Sequence, residues 1–156
     1  MNNVSVKKLT ADEISAALSL IKRVFDEFEA PEYSRKGIDE FYNSIHYKEY
    51  LSNLCIYGAF LNKKLVGVIA TRINGSHIAL FFVDGKYHRR GIGRQLFETV
   101  LKNCTCDKMT VNSSPYAVPI YHKLGFCDTA DEQTVNGIRF TPMELKKFGL
   151  KVTTLK

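Results

Sequence analysis

The chain has no apolar stretch that approaches the roughly 18 to 20 residues needed to cross a membrane. Its first residues, MNNVSVKKLTADE, also lack the basic-then-apolar order of a secretory signal peptide. We therefore expect a cytoplasmic protein that makes no contact with a membrane.

Cysteine is scarce, with four residues at Cys55, Cys104, Cys106 and Cys127. Cys104 and Cys106 have neither the two-residue spacing nor the matching second pair that a zinc site requires. His46, His77 and His122 also lack partners at metal-binding spacing. The sequence therefore predicts reduced thiols and no bound metal.

Acidic residues are the minority charge: 16 Asp and Glu face 22 Lys and Arg, which gives a net charge of +6. This balance suits an anionic partner, but it does not by itself distinguish nucleic acid from a small polyphosphate. Part of the excess surrounds one glycine-containing turn and part is scattered near the C-terminus. The position of the charge matters more than its total, and we do not expect nucleic acid as the partner.

The first half of the chain reads as a strand, two helices and an antiparallel meander. Residues 4–9 form the strand, and Thr10 with Glu13 makes a capping box that opens the first helix. Ser34 is expected to cap the second helix. The hydrophobic period then changes to two, which predicts strands at residues 54–61, 65–73 and 77–83.

The second half continues with a helix after the glycine turn and a strand at residues 109–112. Ser113, Ser114 and Pro115 suit the start of a short helix that ends at Gly125, and a hairpin of residues 126–135 and 138–145 follows. The strand-helix-strand passage over residues 77–112 requires a parallel pair. We therefore predict an α/β fold: a single domain with a mixed, mostly antiparallel sheet of about seven strands and about four helices.

The most informative segment is residues 76–103, in which an apolar strand runs into a basic turn and then an amphipathic helix. A helix start offers unpaired backbone N–H groups and the positive end of the helix dipole. Gly91 and Gly93 carry no side chain that would keep a phosphate away from those donors. Positive charge surrounds the same turn, at Lys86, Arg89, Arg90 and Arg94. This arrangement predicts a diphosphate-binding loop.

Two common phosphate loops do not fit the turn. A Walker A loop needs a lysine and a hydroxyl residue after its second glycine, and Gly93 is followed by Arg94 and Gln95. A Rossmann turn needs a third glycine where Leu96 stands and an acidic residue where Asn112 stands. ATP-type and dinucleotide sites are therefore not expected.

The pattern His88-Arg89-Arg90-Gly91-Ile92-Gly93 resembles the pyrophosphate loop of the GNAT superfamily of N-acetyltransferases, which bind acetyl-coenzyme A. Residues 111–126, VNSSPYAVPIYHKLGF, resemble the strand and helix that complete the family's cofactor site, and residues 139–147 resemble its last strand. His88 departs from the glutamine or arginine usual at that position, which implies a modest pH dependence of cofactor affinity. The resemblance implies a GNAT-like fold with splayed central strands, an N-acetyltransferase domain at residues 1–148 and a tail at residues 149–156.

The resemblance also implies how acetyl-CoA is held as a co-substrate without a metal. The pantetheine arm is expected to pair with the strand that ends at Val83, where a backbone N–H would polarise the acetyl carbonyl. Asn112 would contact the amides of the arm. The implied cofactor-binding residues are Phe81, Phe82, Val83, His88, Arg89, Arg90, Gly91, Ile92, Gly93, Arg94, Asn112, Tyr116 and Ala117.

For catalysis the resemblance implies that Tyr121 is the general acid that protonates the departing thiolate. Tyr116 is a local rival, although a residue at the helix start would more naturally pack against the loop. The base is left open between Glu27, Glu29 and a water relay.

The expected acceptor is a primary amine of a small molecule or peptide, and the acidic residues beside the first helix would suit a cationic one. The basic isoelectric point leaves open the acetylation of a macromolecular amine, such as a protein N-terminus or aminoacyl-tRNA. A module that senses acyl-CoA without catalysis is a third alternative. The sequence does not fix the oligomeric state, and a homodimer stays open.

Overall fold

The structure is a computed structural model that describes residues 3–147. The predicted tail at residues 149–156 lies outside the described residues. The strands are β1 (Val4–Lys8), β2 (Cys55–Leu61), β3 (Lys64–Arg72), β4 (His77–Val83), β5 (Lys108–Ser113), β6 (Cys127–Asp128), β7 (Gln133–Val135) and β8 (Ile138–Lys146). The α-helices are α1 (Ile14–Phe28), α2 (Arg35–His46), α3 (Lys48–Ser52), α4 (Ile92–Asn103) and α5 (Val118–Leu124).

The strands form one mixed sheet in the order β1-β2-β3-β4-β5-β8-β6, with β7 paired to β8. All neighbouring strands run antiparallel except β4 and β5, which are parallel. That parallel pair is joined only where His77 faces Thr110 and Ile78 faces Val111. Beyond these residues β4 and β5 separate, which confirms the mixed α/β fold and the splayed central strands.

Helix starts follow the capping chemistry predicted from the sequence. The Thr10 N–H donates to the Glu13 carboxylate at 2.9 Å, and the capping box is complete, although a 3-10 turn at Ala11–Glu13 precedes α1. Ser34 caps α2 by accepting the Gly37 N–H at 3.2 Å. These local contacts fix where the first two helices begin.

Two hydrophobic layers hold the helices on opposite faces of the sheet. On one face, α1 contributes Ala17, Ile21 and Phe25, each at most 1% exposed. On the other face, α4 contributes Leu96 and Phe97, at most 2% exposed. Because side chains are buried on both faces, α1 and α4 have fixed positions on opposite sides of the sheet.

Three details differ from the sequence-based prediction. The strand expected at residues 126–135 is divided into β6 and β7, because the intervening residues leave the ladder and Thr129 instead donates to the Pro142 carbonyl at 2.8 Å. The short helix α3 was not predicted, since five residues carry little periodic signal. Helix α5 begins at Val118 rather than at the serines, because Ser113 still belongs to β5 and Ser114 closes a turn with the Ala117 N–H at 3.1 Å.

No helix within residues 3–147 is both long and apolar enough to span a bilayer. Over the same residues no group of three or more His, Cys, Asp and Glu side chains is arranged to hold a metal ion.

Candidate active site

A cleft of about 530 Å³ opens where β4 and β5 separate. Its walls come from the end of α1, the end of β4, the turn before α4, and α5. The predicted cofactor-binding residues that line it are Phe81, Phe82, Val83, His88, Arg89, Gly91, Ile92, Gly93, Arg94, Tyr116 and Ala117. Of the predicted catalytic residues, Tyr121 and Glu29 line the cleft.

Three predicted site residues lie outside this cleft wall as it stands in the described residues. Arg90 is exposed, and its guanidinium lies 5.4 Å from the centre of the Tyr87 ring. Asn112 is exposed on β5, where it faces Pro142 of β8. Glu27 is exposed on α1 and is not among the residues that line the cleft. Their contact with the cofactor or acceptor stays a prediction.

Residues 88–94, which we call the phosphate loop, form a concave turn at the start of α4. Arg89 and Gly91 both adopt left-handed backbone conformations, with φ of 66° and 80°. Alternation of this kind turns successive N–H groups toward one point and makes an anion-binding nest. A Cβ atom added at Gly91 would meet nothing within 4 Å, so the space beside Gly91 is open. That this loop binds a phosphate group stays a prediction, and its backbone conformation is of the kind that such a site requires.

The first turn of α4 adds to this nest. Gly91 is the N-cap of the helix, and its carbonyl accepts the Gln95 N–H at 3.0 Å. The N–H groups of Ile92, Gly93 and Arg94 therefore have no partner within the helix and point toward its N-terminal end. The side chains of Arg89, Arg94 and Lys123 add positive charge around the same cleft.

His88 joins the phosphate loop to the end of β4. Its Nε2 atom lies 2.7 Å from the Val83 carbonyl oxygen, a contact in which the ring nitrogen donates. Its ring lies 4.9 Å from that of Phe28 on α1. The imidazole therefore contacts both the strand that ends at the cleft and the helix that covers it.

Tyr121 lies on α5 at the inner wall of the cleft and is 5% exposed. Its ring is held by Phe126, with centroids 5.3 Å apart in an edge-to-face contact, and by Phe81 at 6.1 Å. Burial, followed by the charge of Glu29, raises the pKa of the Tyr121 phenol well above its ordinary value. The phenol therefore carries its proton at neutral pH.

Glu29 lies at the C-terminal end of α1 and is half-buried in the same cleft. Burial raises the pKa of its carboxyl to about 7; the Ser114 hydroxyl opposes this rise and the nearby Glu32 charge adds to it. A carboxyl with this pKa exists in both forms at neutral pH, which suits a group that accepts a proton. The structure thus distinguishes Glu29 from the exposed Glu27, which the sequence did not.

Tyr116 packs against the aromatic residues around the phosphate loop. Its ring lies 5.2 Å from that of Phe28, which in turn contacts His88. Burial and then the charges of Glu29 and Glu27 raise the pKa of its phenol.

Several residues of the cleft were not identified from the sequence: Val24, Phe28, Tyr87, Ile120, Lys123 and Leu124. Phe28 falls on the apolar stripe of α1, which is why periodicity assigned it to the core. Tyr87 stands directly before the glycine pattern, and that position was the only available signal.

Comparison with known proteins identifies the family of this chain. The family model of the acetyltransferase (GNAT) domain matches residues 29–147, which covers most of the chain. The uncharacterized N-acetyltransferase YafP of Escherichia coli strain K12 is 27% identical over 137 residues, covering 86% of this chain and 88% of that protein.

Solved structures share the fold. A GCN5-related N-acetyltransferase from Rhodopseudomonas palustris superposes with a TM-score of 0.81 at 18% identity, covering 94% of this chain and 97% of that one. The PaiA N-acetyltransferase from Thermoplasma acidophilum, solved in complex with coenzyme A, superposes with a TM-score of 0.71 at 20% identity, covering 92% and 99%.

Proposed function

The chain belongs to the GNAT acetyltransferase family, and from this premise we propose that it moves the acetyl group of acetyl-CoA directly to a primary amine of a small-molecule or peptide acceptor. Acetyl-CoA supplies an activated thioester, so the protein needs to bind it, orient it and move two protons. No metal takes part in the proposed reaction.

Different parts of the cleft suit the diphosphate, the pantetheine arm and the acetyl group of acetyl-CoA. The phosphate loop offers converging N–H groups and open space for the diphosphate. Residues 79–83 of β4 face the gap left by β5, so the pantetheine amides can pair there as an added strand would. A backbone N–H near Phe82 or Val83 would polarise the acetyl carbonyl.

Proton transfer is assigned to two residues of the same cleft. Glu29 accepts a proton from the acceptor ammonium, so that the neutral amine attacks the acetyl carbon and forms the new C–N bond. The C–S bond breaks, and Tyr121 donates its proton to the departing thiolate. The nitrogen, which is cationic after the attack, releases its second proton through solvent to the Tyr121 oxygen and so restores the phenol, and solvent removes the proton that Glu29 has taken.

The acceptor is proposed to be a cationic amine. Asp26, Glu27, Glu29 and Glu32 lie at the end of α1 and in the connection that follows it. These carboxylates would attract a protonated amine toward the cleft.

The observation that carries the proposal is that one cleft contains the phosphate loop, the protonated Tyr121 phenol and the Glu29 carboxyl. The test is release of free thiol from acetyl-CoA across a panel of primary amines, with Tyr57→Phe as a matched control that removes a phenol hydroxyl outside the cleft. We expect the unaltered chain to release thiol in the presence of an amine. In Tyr121→Phe the rate of this release should fall at least roughly a hundredfold while the affinity for coenzyme A is retained. Binding of acetyl-CoA without release for any amine would favour a sensing module instead.

A further inference from the structure

Asp84 is a buried carboxylate that the proposed chemistry does not use. It follows β4 directly, stands four residues before the phosphate loop and is 6% exposed. A buried carboxylate requires strong partners, because its transfer out of water is costly. Each of its two oxygens has one.

The first oxygen holds the turn that leads into the phosphate loop. Asp84 Oδ1 accepts the Lys86 N–H at 3.0 Å and so caps the 3-10 turn Gly85–Tyr87. The Asp84 carbonyl also accepts the Tyr87 N–H at 2.9 Å. Asp84 therefore determines the path of the chain over the three residues that precede His88.

The second oxygen ties this turn to α1. Arg23 donates from Nη2 to Asp84 Oδ2 at 2.8 Å. Meanwhile the Asp84 N–H donates to the Val66 carbonyl at 2.9 Å, which fixes the residue to β3. The carboxylate thus joins a helix, a strand and the turn at one point.

The ionisation of Asp84 is consistent with this role. Burial opposes the charge, but the hydrogen bonds from the Lys86 N–H and from Arg23 outweigh it and lower the pKa of the carboxyl. The group is therefore charged at neutral pH, and both contacts are charge-assisted.

We propose that Asp84 is a positioning residue for cofactor binding: its carboxylate, held by Arg23, fixes the turn that presents residues 88–94 to the diphosphate of coenzyme A. The inference rests on the proposed function, because it assumes that the phosphate loop binds this cofactor. Asp84 itself does not touch the ligand. Its contribution is to keep the N–H groups of the loop converged before the ligand arrives, so that binding does not have to order them.

The test measures coenzyme A binding by titration calorimetry, which needs no acceptor amine. Asp84→Asn keeps the size of the side chain and one acceptor oxygen but removes its charge. Its Kd for coenzyme A is expected to rise roughly five- to fiftyfold, the range for a lost charge-assisted hydrogen bond that acts through the loop. Arg23→Ala is expected to raise the Kd in the same direction by a smaller factor, since the Lys86 contact stays.

A second readout separates positioning from general stability. Hydrogen exchange of the amides in residues 84–91 is expected to speed up in both variants, while that of β2 and β3 is unchanged. Because the Arg23 side chain is 53% exposed, Arg23→Ala keeps the inference testable if Asp84→Asn fails to fold.

The control is Asp39→Asn, which removes a carboxylate from the exposed Arg35–Asp39 pair on α2 and should leave the Kd unchanged. Folded Asp84→Asn and Arg23→Ala variants that bind coenzyme A as tightly as the unaltered chain would overturn the inference, even if they melt at a lower temperature. Failure of the unaltered chain to bind coenzyme A would instead refute the proposed function, and the inference with it.

Discussion

Replacing Glu29 by glutamine is expected to stabilise the protein and impair its activity at the same time. The substitution keeps the size of the side chain and an oxygen that can accept from Ser114, but it removes the titrating carboxyl. At an ordinary surface site this change would be close to neutral. Here the two effects should have opposite signs, because the same buried charge serves the reaction and opposes folding.

The size of the stability effect follows from the raised pKa of Glu29. The pKa of this carboxyl is raised from its ordinary value of 4.5 to about 7 in the folded chain. The folded state therefore binds this proton more tightly, and stability falls as pH rises from about 4.5 through about 7. Above that window the penalty reaches up to about 3 kcal/mol, which corresponds to a change in Tm of roughly 6 °C or more for a chain of this length.

The assay is thermal unfolding of the unaltered chain and of Glu29→Gln at pH 5 and pH 8. The variant should melt several degrees higher at pH 8 and show little advantage at pH 5. Glu27→Gln, a change to an exposed carboxylate two residues away, should show no such pH-dependent difference. A Tm difference between Glu29→Gln and the unaltered chain that is the same at both pH values would show that the Glu29 charge does not oppose folding.

Three further predictions concern the site and the core. In the unaltered chain kcat/KM should rise with pH around 7 as Glu29 loses its proton. Glu29→Gln should abolish this pH-dependent rise and lower kcat/KM at least roughly a hundredfold. A rise with pH that persists in the variant would exclude Glu29 as the base. Burial and then the charge of Arg72 lower the pKa of His77 to about 4, so the contribution of His77 to stability should decline as pH falls from about 6.5 to about 4. The urea-denaturation midpoint of His77→Gln should therefore rise relative to that of the unaltered chain as pH falls through this window, and a difference that does not change with pH would count against it. Gly37→Ala would place its Cβ 2.1 Å from the Gly137 carbonyl oxygen, so a loss of at least about 2 kcal/mol in urea unfolding is expected, and wild-type stability would contradict that contact.

The parts of the fold predicted correctly depend on short-range chemistry. The capping box at Thr10 and the Ser34 cap involve groups three residues apart, so the sequence contains all the information needed. The glycine turn is equally local, since Gly91 supplies the left-handed conformation at a helix start. The parallel pairing of β4 and β5 also followed, because a strand-helix-strand passage has few alternatives.

The parts that were not predicted depend on contacts between distant segments. Glu27 and Glu29 look alike in the sequence, and only the packing of α1 against the cleft makes one exposed and the other half-buried with a raised pKa. The predicted strand at residues 126–135 is divided because β6 and β7 each pair with a different part of β8. The sequence does not specify the register of these two pairings. Asp84 carried no periodic or motif signal, and its partner Arg23 lies 61 positions earlier.

The proposed activity depends on the phosphate loop binding the diphosphate of coenzyme A through its backbone. A crystal structure of the protein with coenzyme A would show this contact. We expect diphosphate oxygens within hydrogen-bond distance of the N–H groups of residues 89–94, with the pantetheine arm in the gap between β4 and β5. A complex in which the diphosphate lies elsewhere and the loop N–H groups contact only water or protein would contradict it.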